Sequence, residues 1–460
     1  MTRYAALRTE LAAAARLAAP VALVQVGTML MGVVDTMMLG HLSAQALAAG
    51  ALGHIVTFTC LMLGYGVLSA LDPLVSQAYG ARDAGAVGGH LQRGLVLAAV
   101  LTVPTVAGLL DVEPILRALG QPAAVSRDAA DYTRAILWGI LPYLVFVAFR
   151  QTLQAMGVVR QAATAIVLGN VVNAVLNWML IFGHLGAPAL GVRGSALSTS
   201  VARWAMCLYL LAASRRSLAP YWRGFTAEVA AVRGYLVMLR IGLPIALHNS
   251  VELMIFAVAA LLIGRIGIAE LGGHQIALNL TSLSFMVPLG ISGAAATRVG
   301  NAIGRGDMPG ARRAAAACLL LGAGAMMVFA AVFATLPGPL ARLYTMDPAV
   351  ISVVSILLPI AALFQVCDGI QVVSSGVLRG AADTTFSAAI ALLGYWVIGL
   401  PVGWVLAFRA GLGPAGLWWG ITVGLTVVAV LLTLRIALRF RGEIVRVDIE
   451  MGADERRSDG

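Results

Sequence analysis

The sequence predicts an all-α integral membrane protein with about twelve transmembrane helices, arranged as two six-helix repeats. Hydrophobic residues make up 60% of the 460-residue chain and charged residues only 11%, with a mean hydropathy of +0.91. Such a composition leaves too little polar surface to coat a soluble globule. Apolar stretches of about 20 residues recur along the whole length between short loops rich in Gly, Pro and Arg, which is the length a helix needs to cross a bilayer. A membrane β-barrel would instead show ~10-residue segments of alternating hydrophobicity. Finally, the second half of the chain matches the first when Pro244 is laid on Pro20.

In that register Gly40 meets Gly264, Leu47 meets Leu271, Gly66 meets Gly290, Gly80 meets Gly304 and Asp83 meets Asp307. Farther on, with small length changes, Leu141-Pro142 matches Leu358-Pro359 and Gly191-x-x-Gly194 matches Gly413-x-x-Gly416. The chain therefore reads as residues 1–213, a six-helix lobe; 214–234, a polar and basic linker; 235–446, a second six-helix lobe; and 447–460, a tail with no apolar face, expected to be disordered. Six is even, so both halves enter the membrane in the same sense, and a binding site between such parallel repeats is expected.

Taken in order, the N-terminus carries early arginines ahead of an Ala-rich apolar run, as a signal peptide does. The run continues through Asp35, however, and has a counterpart in the second half, so it reads as the first span. Pro20 and Pro244 fall in the first span of each half and Pro142 and Pro359 in the fourth; each removes a helix hydrogen bond and permits either a fixed kink or a hinge. Cys60, Cys207, Cys318 and Cys367 lie in or beside apolar spans without paired spacing and read as free thiols.

All 31 basic residues are Arg. A phosphate-binding loop of the GxxxxGK[ST] type needs a lysine, so that route to ATP hydrolysis is closed. The net charge of +10 needs no nucleic-acid partner, because it sorts by loop. The termini and the loops after even-numbered spans hold 23 arginines and the loops after odd-numbered spans seven, with Arg203 inside a span. By the positive-inside rule both termini and the linker are expected to be cytoplasmic.

Four acids fall inside apolar spans: Asp35, Asp72, Glu252 and Asp368. A charge at the centre of a span costs ~2.5–3.5 kcal/mol on insertion scales, which marks these as candidate functional groups. In the seventh span His248, Asn249, Glu252 and Phe256 share a helix face, and in the tenth Phe364, Gln365, Asp368, Gln371 and Ser375 do the same. Two polar stripes, each with a carboxylate, point to a shared water-accessible cavity. In the first half Thr28 aligns with Glu252 and Gln151 with Asp368, so the acids are not repeated. Asp35 lies instead two helical turns beyond Thr28 on the same face, and Asn173, Asn177 and Thr199 supply two amides and a hydroxyl for a proton or ion site. Each has a structural alternative: membrane Asn and Thr residues often serve as interhelical hydrogen bonds, Asp72 beside Pro73 reads first as a pairing or capping group, and His248 as a partner of its neighbours. Gly290 to Gly293, "GISG", resembles the serine motif of rhomboid intramembrane proteases, with Ser292 as nucleophile; nothing marks His274 as its base, and no enzyme activity is expected.

Several stretches together are similar to one family. "GVVDTMMLGHLSAQALAAGAL", "ALDPLVSQAYGARD", "GHQIALNLTSLSFMVPLGISGAAATRVGNAIGRGD" and "CDGIQVVSSGVLRGAADTT" resemble the multidrug and toxic compound extrusion (MATE) transporters, from about Pro20 to Arg435, and most closely the bacterial NorM branch. The resemblance implies a V-shaped pair of lobes and secondary active export of organic cations, drugs and dyes by antiport with Na+ or H+. It assigns cation binding, with Na+ as the candidate metal ion, to Glu252 and Asp368. It places the N-lobe proton or substrate site at Asp35, Asn173, Asn177 and Thr199. Phe256, His248, Asn249, Phe364, Gln365 and Gln371 are the cavity-lining candidates, and Met29, Met31, Met37 and Met38 a candidate apolar wall for varied drugs. No cofactor beyond the coupling ion is expected, and the expected partners are small organic substrates and membrane lipid, with the chain a monomer in the bacterial inner membrane. The departure is Asp72, where bacterial members commonly carry an uncharged residue. The alternative is a lipid-linked oligosaccharide flippase of related fold, which would need a cationic cavity for pyrophosphate.

Overall fold

A computed structural model describes residues 3–222, 224 and 227–447. Among the described residues twelve helices are long and apolar enough to cross a membrane. In the first half they are Leu7–Leu42, Ala44–Gly80, Ala84–Leu110, Ala123–Ala155, Arg160–Phe182 and Val192–Tyr221. In the second they are Val232–Gly264, Ile268–Gly304, Met308–Thr335, Pro348–Gly380, Thr384–Arg409 and Gly413–Arg439. They run 23 to 37 residues, longer than the apolar stretches alone. Arginines that read as loop residues therefore sit in helices: Arg150, assigned to the loop after the fourth span, is buried more than a turn before that helix ends at Ala155. For the same reason much of 214–234 is helical, because the sixth span continues to Tyr221 and the seventh begins at Val232. Of the tail, residues 448–460 lie outside the described residues.

The repeat is visible in local geometry. Asp83 and Asp307 cap equivalent helices, accepting from the N–H groups of Ala86 at 3.0 Å and Gly310 at 2.8 Å, which satisfies donors a helix start leaves free. Gly191 just before the sixth span and Gly413 as the first residue of the twelfth have φ of +54° and +57°, a left-handed backbone that favours glycine. The fourth and tenth spans require a correction. Both are 33 residues long, and they end at Ala155 and Gly380, one position off the register that pairs Pro20 with Pro244. Counting back from these ends along the unbroken helix, Gln151 stands opposite Gly376 and Asp368 opposite Tyr143. Pro142 and Pro359 are consequently not equivalent, and the Leu-Pro match is a local coincidence of sequence.

The cores cross over at the two proline-containing first spans. Ala14 and Ala18, before Pro20, belong to the core built otherwise from residues of the second half. Val24 and Met31, after it, belong to the core of the first half. Reciprocally, Met238 and Ile241 before Pro244 join the first-half core, while Val251 and Ile255 beyond it join the second. Each half thus lends the opening turns of its first helix to its partner.

The halves meet on the face that carries the loops after even-numbered spans, in matched pairs. A Cβ on Gly66 would lie 2.4 Å from Ala246 Cα and one on Gly290 2.6 Å from Ala22 Cα; Gly80 and Gly304 abut the carbonyls of Asn301 and Gln77 in the same way. Gln77 Nε2 donates to Gly380 O at 2.9 Å, and Asn301 Nδ2 donates to Ala155 O at 3.1 Å.

Candidate functional site

In the first half the structure brings all four anticipated residues together. Asp35 comes from the first span, Asn173 and Asn177 from successive turns of the fifth, and Thr199 from the sixth, all buried. Asp35 Oδ1 accepts from Asn173 Nδ2 at 3.0 Å and Asn177 Nδ2 at 2.5 Å. Thr199 Oγ1 donates to Asp35 Oδ2 at 2.9 Å. The amides are themselves linked, Asn177 Nδ2 to Asn173 Oδ1 at 3.2 Å. A carboxylate with three side-chain donors is stabilised inside the membrane without a counter-ion in contact. Asn177 Oδ1 is buried without a hydrogen-bond partner, leaving one acceptor beside the carboxylate. Of the four methionines, Met31 is buried in the first-half core and Met37 is 60% exposed.

In the second half Glu252 lies on the seventh span and Asp368 on the tenth, two helices joined by the contact of Gln371 with His248. Tyr395 Oη donates to Glu252 Oε1 at 3.4 Å, and His248 Nε2 stands 3.8 Å from Glu252 Oε2. His248 Nδ1 is 3.1 Å from the Ser387 carbonyl, which only accepts, so Nδ1 carries the proton and, in the neutral ring, Nε2 accepts from Gln371 Nε2 at 3.4 Å. Gln365 Nε2 donates to Ser284 Oγ at 2.6 Å. The carbonyl oxygens of Gln365 and Gln371 are buried without hydrogen-bond partners.

The remaining candidates make no hydrogen bond or ion pair with Glu252 or Asp368, though Asn249 borders a recess with His248. Phe364 is 2% exposed and packs on Trp418 with ring centroids 5.6 Å apart, inside the second-half core. Phe256 also packs against that core. Asn249 lines this small recess with Ser375, Arg379 and Thr384, and His248 and Ser387 from the cluster border it too. Asp72 pairs across the halves, its Oδ2 3.6 Å from Arg379 Nε, and fills the pairing role. Among the described residues no group of three or more His, Cys, Asp or Glu side chains is arranged to hold a metal ion. All four cysteines are free.

Sequence reasoning missed Tyr395. It lies in a π-helical stretch, Leu393–Gly399, of the eleventh span, and such widened turns frequently accompany functional sites. A tyrosine hydroxyl in an apolar span needs a partner when buried, which was the available signal. His274 does not reach Ser292: it lies earlier on the same helix, about 27 Å away along the axis, and its Nδ1 accepts from Trp418 Nε1 at 3.0 Å.

The chain carries the signature of a known group. A family model described as MatE matches residues 20–179 and 244–405, two blocks that begin at the paired prolines of the repeat. A probable multidrug resistance protein NorM of Rhodopseudomonas palustris is 39% identical over 441 residues, covering 94% of this chain and 93% of its own. The multidrug resistance protein NorM of Burkholderia vietnamiensis is 40% identical over 437 residues, covering 92% and 93%. Among solved structures, the eukaryotic MATE transporter AtDTX14 superposes with a TM-score of 0.86 at 25% identity, over 94% of this chain and 96% of that one. The Vibrio cholerae MATE transporter VcmN in its bent form gives 0.85 at 19% identity, over 95% and 99%. With two thirds of its length matched by the family model and relatives about 40% identical along nearly all of it, this twelve-span chain belongs to the MatE family.

Proposed function

We propose that the protein is a secondary active multidrug efflux transporter that exports organic cations, drugs and dyes from the cell by antiport with Na+ or H+. The observation that carries this reading is a pair of separate carboxylate sites, buried Asp35 in one half and half-buried Glu252 with buried Asp368 in the other, in a chain about 40% identical to multidrug resistance proteins. Two neighbouring carboxylates repel, and a proton or a bound cation relieves the repulsion. Unpaired carbonyl oxygens on Gln365 and Gln371 are the ligand type that a hard cation such as Na+ takes. Binding of the coupling cation at Glu252 and Asp368 then lowers the cost of rearranging the halves, and drug and ion occupy different states of the protein because a ligand shifts an equilibrium only through its differential affinity.

The arginine distribution supports an inner-membrane orientation with both termini cytoplasmic. A single chain supplies both sites, which supports a monomer exchanging small organic substrates. The flippase alternative is disfavoured by the acidic character of both sites. Dye efflux from proteoliposomes under separately imposed Na+ and pH gradients tests the proposal. Efflux driven by at least one gradient is expected and identifies the coupling ion; no efflux under either contradicts it.

A further inference from the structure

After the twelfth span ends at Arg439 the chain does not leave the protein surface. Phe440 and Ile444 are buried in the second-half core. The backbone there is held by Arg312, which donates from Nε to Phe440 O at 2.6 Å and from Nη2 to Arg441 O at 3.0 Å. The segment then crosses to the first half. Arg446 Nη1 stands 3.6 Å from Asp83 Oδ2, Val447 packs against the first-half core, and Val447 N donates to Gln77 Oε1 at 2.8 Å.

Gln77 is the hub of this crossing. Its amide nitrogen donates to Gly380 O in the second half while its amide oxygen accepts from Val447. Both ends of one first-half side chain are therefore engaged by second-half polypeptide. The matching amide, Asn301, donates to Ala155 O but has its oxygen buried without a hydrogen-bond partner. Among the described residues, the strap at the end of the second repeat has no equivalent at the end of the first, where the chain continues into the seventh span. The asymmetry has a physical consequence. The backbone Gly contacts that seal this face are repeated, whereas the strap is a single crossing that has to detach before the halves separate there.

We propose that residues 440–447 are a releasable strap that holds the even-loop face closed, anchored in the second half by Arg312 and fastened to the first by Gln77 and Asp83. The inference rests on the efflux reading above. In a chain whose four native cysteines are replaced, Asp83→Cys with Arg446→Cys, bridged by a reducible bifunctional methanethiosulfonate long enough to replace the arginine side chain, ties the strap to the first half, and Arg312→Cys with Arg441→Cys, bridged in the same way, ties it only within the second. Dye efflux from proteoliposomes is measured before cross-linking, after it, and after reduction. The expected result is formation of both cross-links, about tenfold or greater loss of efflux for the 83–446 link, recovery on reduction, and little change for the 312–441 link. Undiminished efflux with the 83–446 cross-link formed overturns the strap, as does failure of that cross-link to form while the 312–441 one does. Absence of efflux from the unmutated chain would instead count against the transport reading itself.

Discussion

Ala22 and Gly290 meet backbone to backbone across the two halves, so closely that a Cβ on Gly290 would lie 2.6 Å from Ala22 Cα. The equivalent contact in the repeat is Gly66 on Ala246. Contacts this close leave no room for a side chain unless the helices move apart, and overpacking of that kind costs about 1–3 kcal/mol. Gly290→Val and Gly66→Val are each expected to lower the melting temperature in detergent and to cut efflux about tenfold. Gly324→Ala, at a position with nothing within 4 Å, is expected to leave both unchanged.

The Asp35 cluster predicts coupling. Thr199→Ala removes a donor from a buried carboxylate, worth about 1.5–3 kcal/mol when the acceptor is charged. Asp35→Asn is expected to cripple export while the protein still inserts and folds. Adding Thr199→Ala to Asp35→Asn is then expected to cost much less stability than Thr199→Ala does alone, because the charged acceptor is gone. A double-mutant cycle on thermal unfolding reads this directly; additive effects, or full export by Asp35→Asn, make Asp35 a packing residue.

Tyr395→Phe keeps the ring and removes only the hydroxyl that reaches Glu252 at 3.4 Å. A bond this long contributes modestly, so a two- to fivefold reduction in efflux is expected, about 0.5–1 kcal/mol. Combined with Glu252→Gln, the tyrosine substitution is expected to have no additional effect.

Cysteines introduced near either terminus, or at Arg215 between the halves, are expected to react with a membrane-impermeant reagent only after permeabilisation. Labelling of Arg215→Cys in intact cells would reverse the orientation drawn from the arginine distribution.

How much of this was legible in the sequence depended on whether the signal was local to one helix. Asp35, and the one-turn spacing of Asn173 and Asn177, announced a polar face that had to find partners in the membrane, and the structure brings them to one carboxylate. Asp83 and Asp307 announced the repeat and prove to be the same cap. Tyr395 offered only a lone hydroxyl in an apolar span, with no polar stripe to name its partner, and it lies in a π-helical stretch that the sequence does not display. The pairing of Gln151 with Asp368 failed because a short Leu-Pro match outweighed helix ends that sequence does not display. Asn249 shares a helical face with Glu252 on paper, yet it lines the recess that holds His248 and Arg379.

The central claim is that Glu252 and Asp368 bind the coupling cation, and removing each charge at constant shape tests it most directly. Gradient-driven dye efflux and equilibrium drug binding are measured for Glu252→Gln and Asp368→Asn in reconstituted protein. Abolished efflux with drug binding much less affected is the predicted result, because the ion loses a ligand while the apolar drug surface stays. Wild-type efflux by both variants at normal expression would contradict it, and would leave Glu252 as a hydrogen-bond acceptor for Tyr395 within a helix interface.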